Sequence, residues 1–227
     1  MIQGVIFDKD GTLFDFNATW GAWAQTMIVA EAAGDARVAG LLADALGYDM
    51  AARVFRPGSI VIAETADVVA DAILGVLPAQ DKSALLARMD AAASQVPVTD
   101  LDRCFQTLQD MGVRLGVATN DTQASAIAHL TQADVLQHFS FVAGSDSGYG
   151  GKPAAGQLVA FCAANQVDAA DCLMVGDSLH DLHAGRAAGM RTVGVLTGPA
   201  RREEMSADAD VVLDSIAELP EWIKNTT

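Results

Sequence analysis

The chain is short of positive charge: 14 Lys and Arg stand against 29 Asp and Glu, for a formal net charge of −15. Gripping a nucleic-acid backbone takes clustered cations, and so does attraction to an anionic bilayer. Neither partner is expected. Cysteine is equally scarce. Cys104, Cys162 and Cys172 are odd in number, scattered and set among apolar residues, which reads as buried thiols of a reducing, cytoplasmic compartment and not as a disulfide framework or a metal site. The opening MIQGVIFDKD lacks a basic start, and acids cut its apolar run short, so it does not read as a secretory signal. Long uncharged runs are missing as well. The most hydrophobic stretch, 59–77, carries Glu64, Asp67 and Asp71 at spacings of three and four, which predicts an amphipathic helix with its acids on one face, not a membrane span.

What the chain has is apolar bulk. Hydrophobic residues make up 51% of its 227 positions and charged ones 19%, enough for a large core and against disorder. Short apolar runs ending in polar or Gly-rich turns predict strands at 4–7, 113–118, 141–143, 172–175 and 192–196, with a sixth at 211–213. Helical patterns separate most of them: 99–111, opened by Thr99 or Asp100 and closed by Gly112; 123–132; 154–166, with Pro153 at its first turn; and 179–188, ending at Gly189. Strands alternating with helices predict an α/β fold, a mainly parallel sheet covered on both faces, with a site at the carboxyl ends of the strands. From 17 to 96 the alternation stops. That segment has Ala-rich helical periodicity and no strand pattern, so it reads as an all-helical insert, a cap, on a core formed by 1–16 and 97–227.

Four acids follow predicted strands: Asp8 and Asp10 the first, Asp177 the fourth, and Asp181 one turn later. One Asp after a strand is an ordinary cap or turn former. Four at neighbouring strand ends converge, and like carboxylates repel unless a cation intervenes. An oxygen-rich pocket suits Mg²⁺, which takes one or two carboxylates and accepts a phosphate oxygen. Asp8 and Asp10, two apart, point the same way in an extended segment. One can then attack phosphorus while the other protonates the leaving oxygen and later activates water. Gly11 permits a sharp turn, and Thr12 either acts through its hydroxyl or caps that turn. Thr119 and Asn120 end the second strand with a hydroxyl and N–H donors for phosphate oxygens. Of only four lysines, Lys152 alone sits among turn residues at a strand end, where its charge offsets both nucleophile and phosphate.

Asp8-Lys9-Asp10-Gly11-Thr12, Thr119-Asn120, Lys152-Pro153 and Gly176-Asp177-Ser178-Leu179-His180-Asp181 together resemble, in order, the four motifs of the haloacid dehalogenase superfamily. The resemblance covers the whole chain. It implies a Rossmann-like three-layer α/β/α core with a helical cap inserted after the first motif. It maps the nucleophile to Asp8 and the acid/base to Asp10. The metal ligands would be the Asp8 carboxylate, the Asp10 backbone carbonyl and Asp177, with Thr119 and Lys152 on the phosphate and Asp181, Thr12 and Ser178 in support. An Asp at position 10 sets the chain apart from the metal-free dehalogenases, which lack this carboxylate, and from the P-type ATPases, which carry Thr there. Lys82, the only lysine of the insert, stands late in the cap in a polar stretch, which disfavours a Schiff-base phosphonoacetaldehyde hydrolase. The chain is most similar to the phosphoglycolate phosphatase-like branch, and departs from it at Phe14-Asp15-Phe16, where a Ser often follows the Asp.

Arg53, Phe55, Arg56, Pro57, Gly58 and Ser59 form the one basic, turn-like cluster of the insert. Arg56 there either binds the carboxylate of an acidic substrate or braces a surface turn. His180 and His183 read as helix-surface residues, since Mg²⁺ prefers oxygen. Trp20, Trp23 and Phe16 read as a hydrophobic stripe, and Arg201 and Arg202 as a solvated face. The expected function is hydrolysis of a small phosphate monoester by a monomer or homodimer. A phosphomutase using the same aspartyl intermediate and a catalytically silent binding protein are the competing readings.

Overall fold

Val5, Ile6 and Phe7 are strand formers in an unbroken apolar run that ends where the acids begin. In the computed structural model, which describes residues 1–56 and 58–226, this run is strand β1 (Gly4–Phe7), buried throughout. An insert follows, with helices α1 (Ala22–Ala32) and α2 (Ala36–Leu46), strands β2 (Tyr48–Asp49) and β3 (Val54–Phe55), and helices α3 (Ile60–Ala63), α4 (Ala66–Val76) and α5 (Lys82–Ala92). After α6 (Leu101–Asp110) the chain alternates through β4 (Arg114–Ala118), α7 (Gln123–Gln132), β5 (Phe141–Ala143), α8 (Gly156–Asn165), β6 (Cys172–Gly176), α9 (Leu179–Ala188) and β7 (Arg191–Val195). It ends with α10 (Arg202–Met205), β8 (Val211–Leu213) and α11 (Leu219–Thr226). The molecule divides into two compact units, Met1–Asp15 with Pro97–Thr227, and Phe16–Val96.

The first unit holds a six-stranded sheet in the order β5-β4-β1-β6-β7-β8, and every pairing in it is parallel. Period-two alternation sorts its side chains. Val5 and Phe7 face a layer with Leu101, Phe105 and Leu108 of α6 and Ile223 of α11. Ile6 and Met174 face the opposite layer with Leu158 and Phe161 of α8 and Ala184 of α9. This is the three-layer α/β/α arrangement that apolar strands between amphipathic helices require. Phe7 lies opposite Val117 on one side and Val175 on the other, so the segments starting at Asp8, Thr119 and Asp177 leave the sheet side by side.

The second unit has its own core, with Trp23, Met27, Leu46, Tyr48, Ile73 and Leu85. It is not all helical: Tyr48 pairs with Phe55 and Asp49 with Val54, antiparallel. The Asp49 carboxylate causes this turn by accepting from the N–H groups of Ala51 and Ala52, both at 2.9 Å, and Arg53 takes the left-handed conformation at φ 58°. Pro57, read as part of the same turn, lies outside the described residues. The helix expected over 59–77 is two helices, because Thr65 is extended and starts α4 anew. Glu64 therefore caps the end of α3, while Asp67 and Asp71 of α4 share Lys82 at 3.1 and 2.7 Å. Trp23 is buried and donates its indole N–H to the Met89 carbonyl, in keeping with a hydrophobic stripe. Among the described residues no helix is long and apolar enough to cross a membrane.

One boundary in the first unit also moves. Pro153 was expected inside the first turn of a helix, but α8 begins at Gly156. The carbonyl of Tyr149 folds back against Gly156, where any Cβ would overlap it, so the loop continues to that point.

Candidate active site

The turn after β1 is wound on one atom. The N–H groups of Thr12, Leu13 and Phe14 lie 3.4, 2.9 and 3.2 Å from the Lys9 carbonyl, and Gly11 N–H reaches back to the Phe14 carbonyl at 2.7 Å. Gly11 adopts φ 81°, and a Cβ on it would fall on the Asp177 carboxyl. Glycine is needed there on both counts. Asp8 continues the sheet by donating its N–H to the Val175 carbonyl at 2.9 Å.

Lys152 is the cation of the cluster. Its ammonium lies 2.6 Å from Asp8 Oδ1 and 2.6 Å from Asp181 Oδ1, with only 3% of its side chain exposed. Burial alone would lower its pKa, but Asp181 and Asp8 reverse this and hold it above its ordinary value. The opposite sign rules the acids. Burial pushes Asp8 up to about 7, Lys152 works against that rise, and Asp181 and Asp10 add to it. Burial, then Asp8 and Asp181, hold Asp177 well above the usual carboxylate range.

Asp8, Asp177 and Asp181 each offer a carboxylate oxygen within 4.8 Å of the others. Asp181 also anchors the start of α9, its Oδ2 accepting from Ser178 N–H at 3.0 Å and Ser178 Oγ at 2.6 Å. Thr12 Oγ1 donates to Asp177 Oδ1 at 3.2 Å, the one hydrogen bond reaching the Asp177 side chain from the described residues. The buried Asp177 and Asp181 and the half-buried Asp8, facing a single ammonium, are short of positive charge, and their donor set is all oxygen. Both properties fit a hard divalent cation.

Thr119 is buried. Its Oγ1 accepts from Asp121 N–H at 3.1 Å, and its carbonyl accepts from the Gln157 side chain at 3.0 Å. Asn120 departs from the sequence reading. Its Oδ1 accepts from Lys152 N–H at 2.8 Å and its Nδ2 donates to the Lys152 carbonyl at 3.0 Å, so the amide splints the lysine's backbone. Arg56 departs too. It lies in the second unit, where its Nη2 is 2.8 Å from Asp44 and 3.3 Å from the carbonyls of Ala43 and Tyr48. A guanidinium at the last turn of α2 complements that helix end, which answers for Arg56 without a substrate carboxylate. His180 and His183 are exposed on α9, and His183 lies 3.6 Å from Asp208.

Two groups of residues at the site were not singled out from sequence. Lys9 is fully buried, with its ammonium 2.6 Å from Asp10 Oδ2 and 3.4 Å from Asp121 Oδ2, and His129 Nδ1 at 3.1 Å. The carboxylate of Asp10 is thus held by Lys9 and is not one of the clustered three. The signal was present: β1 is buried on both faces, and a lysine two residues beyond it needs a reason. The second group follows β7. Thr197 Oγ1 donates to the Gly11 carbonyl at 2.6 Å, and a Cβ on Gly198 would fall on the Asp177 carboxyl. Thr-Gly after a strand carries no such signal locally.

Among known proteins, the chain is 33% identical over 118 residues to a phosphoglycolate phosphatase of Chromobacterium violaceum, covering 52% of each. It therefore spans about half the length of that relative. To the phosphoglycolate phosphatase of Rhodospirillum rubrum it is 29% identical over 232 aligned positions, covering 98% of this chain and 91% of the other. In fold it is similar to a putative beta-phosphoglucomutase from Thermotoga maritima, with a TM-score of 0.73 at 16% identity and full coverage of both chains. Residues 2–189 match the family model for haloacid dehalogenase-like hydrolases. The match takes in the clustered Asp8, Asp177, Asp181 and Lys152 as well as strands β1, β4, β5 and β6 of the parallel sheet, and the chain belongs to the haloacid dehalogenase-like hydrolase family.

Proposed function

We propose that this protein is a Mg²⁺-dependent phosphatase that hydrolyses a small phosphorylated metabolite, a phosphoglycolate-like monoester, through a phospho-aspartate on Asp8. The observation that carries this reading is the Asp8 carboxylate at the end of β1, 2.6 Å from the buried Lys152 ammonium and grouped with two further carboxylates. Mg²⁺ held by Asp8, Asp177 and the backbone carbonyl of Asp10 would neutralise phosphate charge and orient the ester. Asp8 attacks phosphorus, forming a P–O bond as the ester P–O bond breaks, and Asp10 gives its proton to the leaving oxygen. Asp10 then takes a proton from water, which attacks phosphorus and releases inorganic phosphate and the Asp8 carboxylate. Lys152 and Thr119, with main-chain N–H groups at Asn120, hold the equatorial oxygens, so that positioning and charge supply most of the rate. Three cysteines outside any disulfide and the net charge of −15 support work in a reducing cytoplasm on a small molecule; the proposed state is a monomer or homodimer.

The test is a panel of phosphate monoesters, 2-phosphoglycolate and an aryl phosphate among them, with Mg²⁺ and with EDTA. Turnover is expected with Mg²⁺ and none with EDTA; full activity in a metal-free preparation overturns the reading. Turnover that depends on a bisphosphate activator would make the protein a mutase, and none on any ester a binding protein. Gly198→Ala gives an independent check on the metal site. Its methyl group would displace Asp177, so the Mg²⁺ concentration for half-maximal rate should rise by about tenfold or more. An unchanged Mg²⁺ titration would remove Asp177 from the metal's ligands.

A further inference from the structure

We propose that Lys9 is a positioning residue that fixes the carboxylate of Asp10 for proton transfer to the leaving oxygen, an inference that rests on the role assigned to Asp10 above. An ammonium has three N–H donors and no acceptor. Those of Lys9 meet three acceptors: Asp10 Oδ2 at 2.6 Å and Asp121 Oδ2 at 3.4 Å, and His129 Nδ1 at 3.1 Å. The side chain is fully buried, so no water competes for those donors.

The far side of this cluster is itself rigid. Asp121 accepts from Thr122 N–H and from Ser125 Oγ, both at 2.7 Å, which ties it to the first turn of α7, and His129 is a buried residue of the same helix. Lys9 therefore links Asp10 to a packed helix. A buried lysine in an apolar layer is costly even when paired, and a methionine would fill the volume without that cost. What methionine cannot do is hold a carboxylate oxygen at 2.6 Å. Asp10 lies on a turn with 21% of its side chain exposed, and losing the Lys9 ammonium removes the contact that sets the direction of its Oδ2. General acid catalysis depends on hydrogen-bond reach before it depends on acidity.

The experiment measures kcat/KM, which reports steps up to phosphoryl transfer, for monoesters of graded leaving-group pKa. Alkyl leaving groups need the proton from Asp10, and p-nitrophenolate does not. Asp10→Asn, the control, should lower kcat/KM for alkyl esters by about 10²–10⁴-fold and for p-nitrophenyl phosphate far less, steepening the dependence on leaving group. Lys9→Met should steepen it in the same way, by about 10²-fold at the alkyl end, and the double variant should be no steeper than Asp10→Asn alone. A loss from Lys9→Met that is equal for all leaving groups, or a double variant that adds the two losses, overturns the inference. Should Lys9→Met lose its thermal transition, Asp121→Asn decides: it weakens the hold on Lys9 and should steepen the dependence less, and an unchanged slope overturns the inference. If Asp10→Asn leaves the slope unchanged, the assignment of Asp10 as the acid fails, and the inference falls with it.

Discussion

Asp8→Asn is expected to abolish phosphate release, with a loss of about 10⁴-fold or more, while the metal-free protein keeps its thermal transition at pH 8. An amide matches the carboxylate in shape but cannot form the acyl phosphate, so the covalent route closes. Stability follows from electrostatics. Burial pushes Asp8 up to about 7, so at pH 8 its charge is held beside Asp177 and Asp181 with Lys152 as the counterweight. Removing it relieves repulsion among the acids. Lys152 keeps Asp181 as a partner, and the new amide can turn its oxygen toward the ammonium. Turnover and a melting scan in EDTA, on one preparation, separate the two effects. An active Asp8→Asn protein would refute the covalent mechanism, and an unfolded one would show that the Asp8–Lys152 pair holds the fold.

The parts of this molecule that sequence made legible are those governed by local periodicity. Runs such as 4–7, 141–143 and 211–213 could be bounded to the residue because apolar β-formers stop where turn formers start. Alternation of such runs with helices left a parallel sheet as the economical arrangement. From that topology it followed that Asp8, Asp10, Asp177 and Asp181 would converge; three of them do, while the Asp10 carboxylate goes to Lys9. Two adjacent caps were harder to see: 59–77 reads as one helix because its composition is uniform, yet Thr65 turns extended and divides it. The pair β2–β3 was missed because two residues per strand are too few for a period.

Partner choice at the site was the least legible, because it depends on residues far apart in the chain. Asn120 and Lys152 were both marked as phosphate groups from their positions after strands. Their reciprocal hydrogen bonds across 32 positions turn the asparagine into a brace. Arg56 looked available because a basic turn is rare in so acidic a chain, and the end of α2 claims it. Gly198 is separated from Asp177 by α9 and β7, and only the meeting of two loops shows that no side chain fits between them. Lys9 was the exception that local reasoning could have reached, as a charge two residues beyond a strand buried on both faces.

Lys152→Met should have the largest effect on stability, and one that depends on pH. The lysine is the only cation paired with Asp8 and Asp181 among the described residues, and removing one member of a buried pair costs about 3–5 kcal/mol because the other charge is left without compensation. The sign with pH follows from Asp8. Its folded-state pKa of about 7 lies above the ordinary 3.8, so between these values the native state binds more protons than the unfolded chain. Metal-free stability therefore falls as pH rises through that window. Without Lys152 nothing opposes the rise caused by burial and by neighbouring acids, so the window extends further up and the fall is greater. The variant should differ less from the parent near pH 4.5, where Asp8 is protonated in both, than at pH 8, where it should be weaker by about 3 kcal/mol or more. Urea titrations in EDTA at the two pH values measure this directly. Added Mg²⁺ should recover part of the loss at pH 8, since a divalent cation supplies the missing positive charge. A deficit of equal size at both pH values would mean that Lys152 stabilises by packing its methylene stem, and the charge account of this cluster would be wrong.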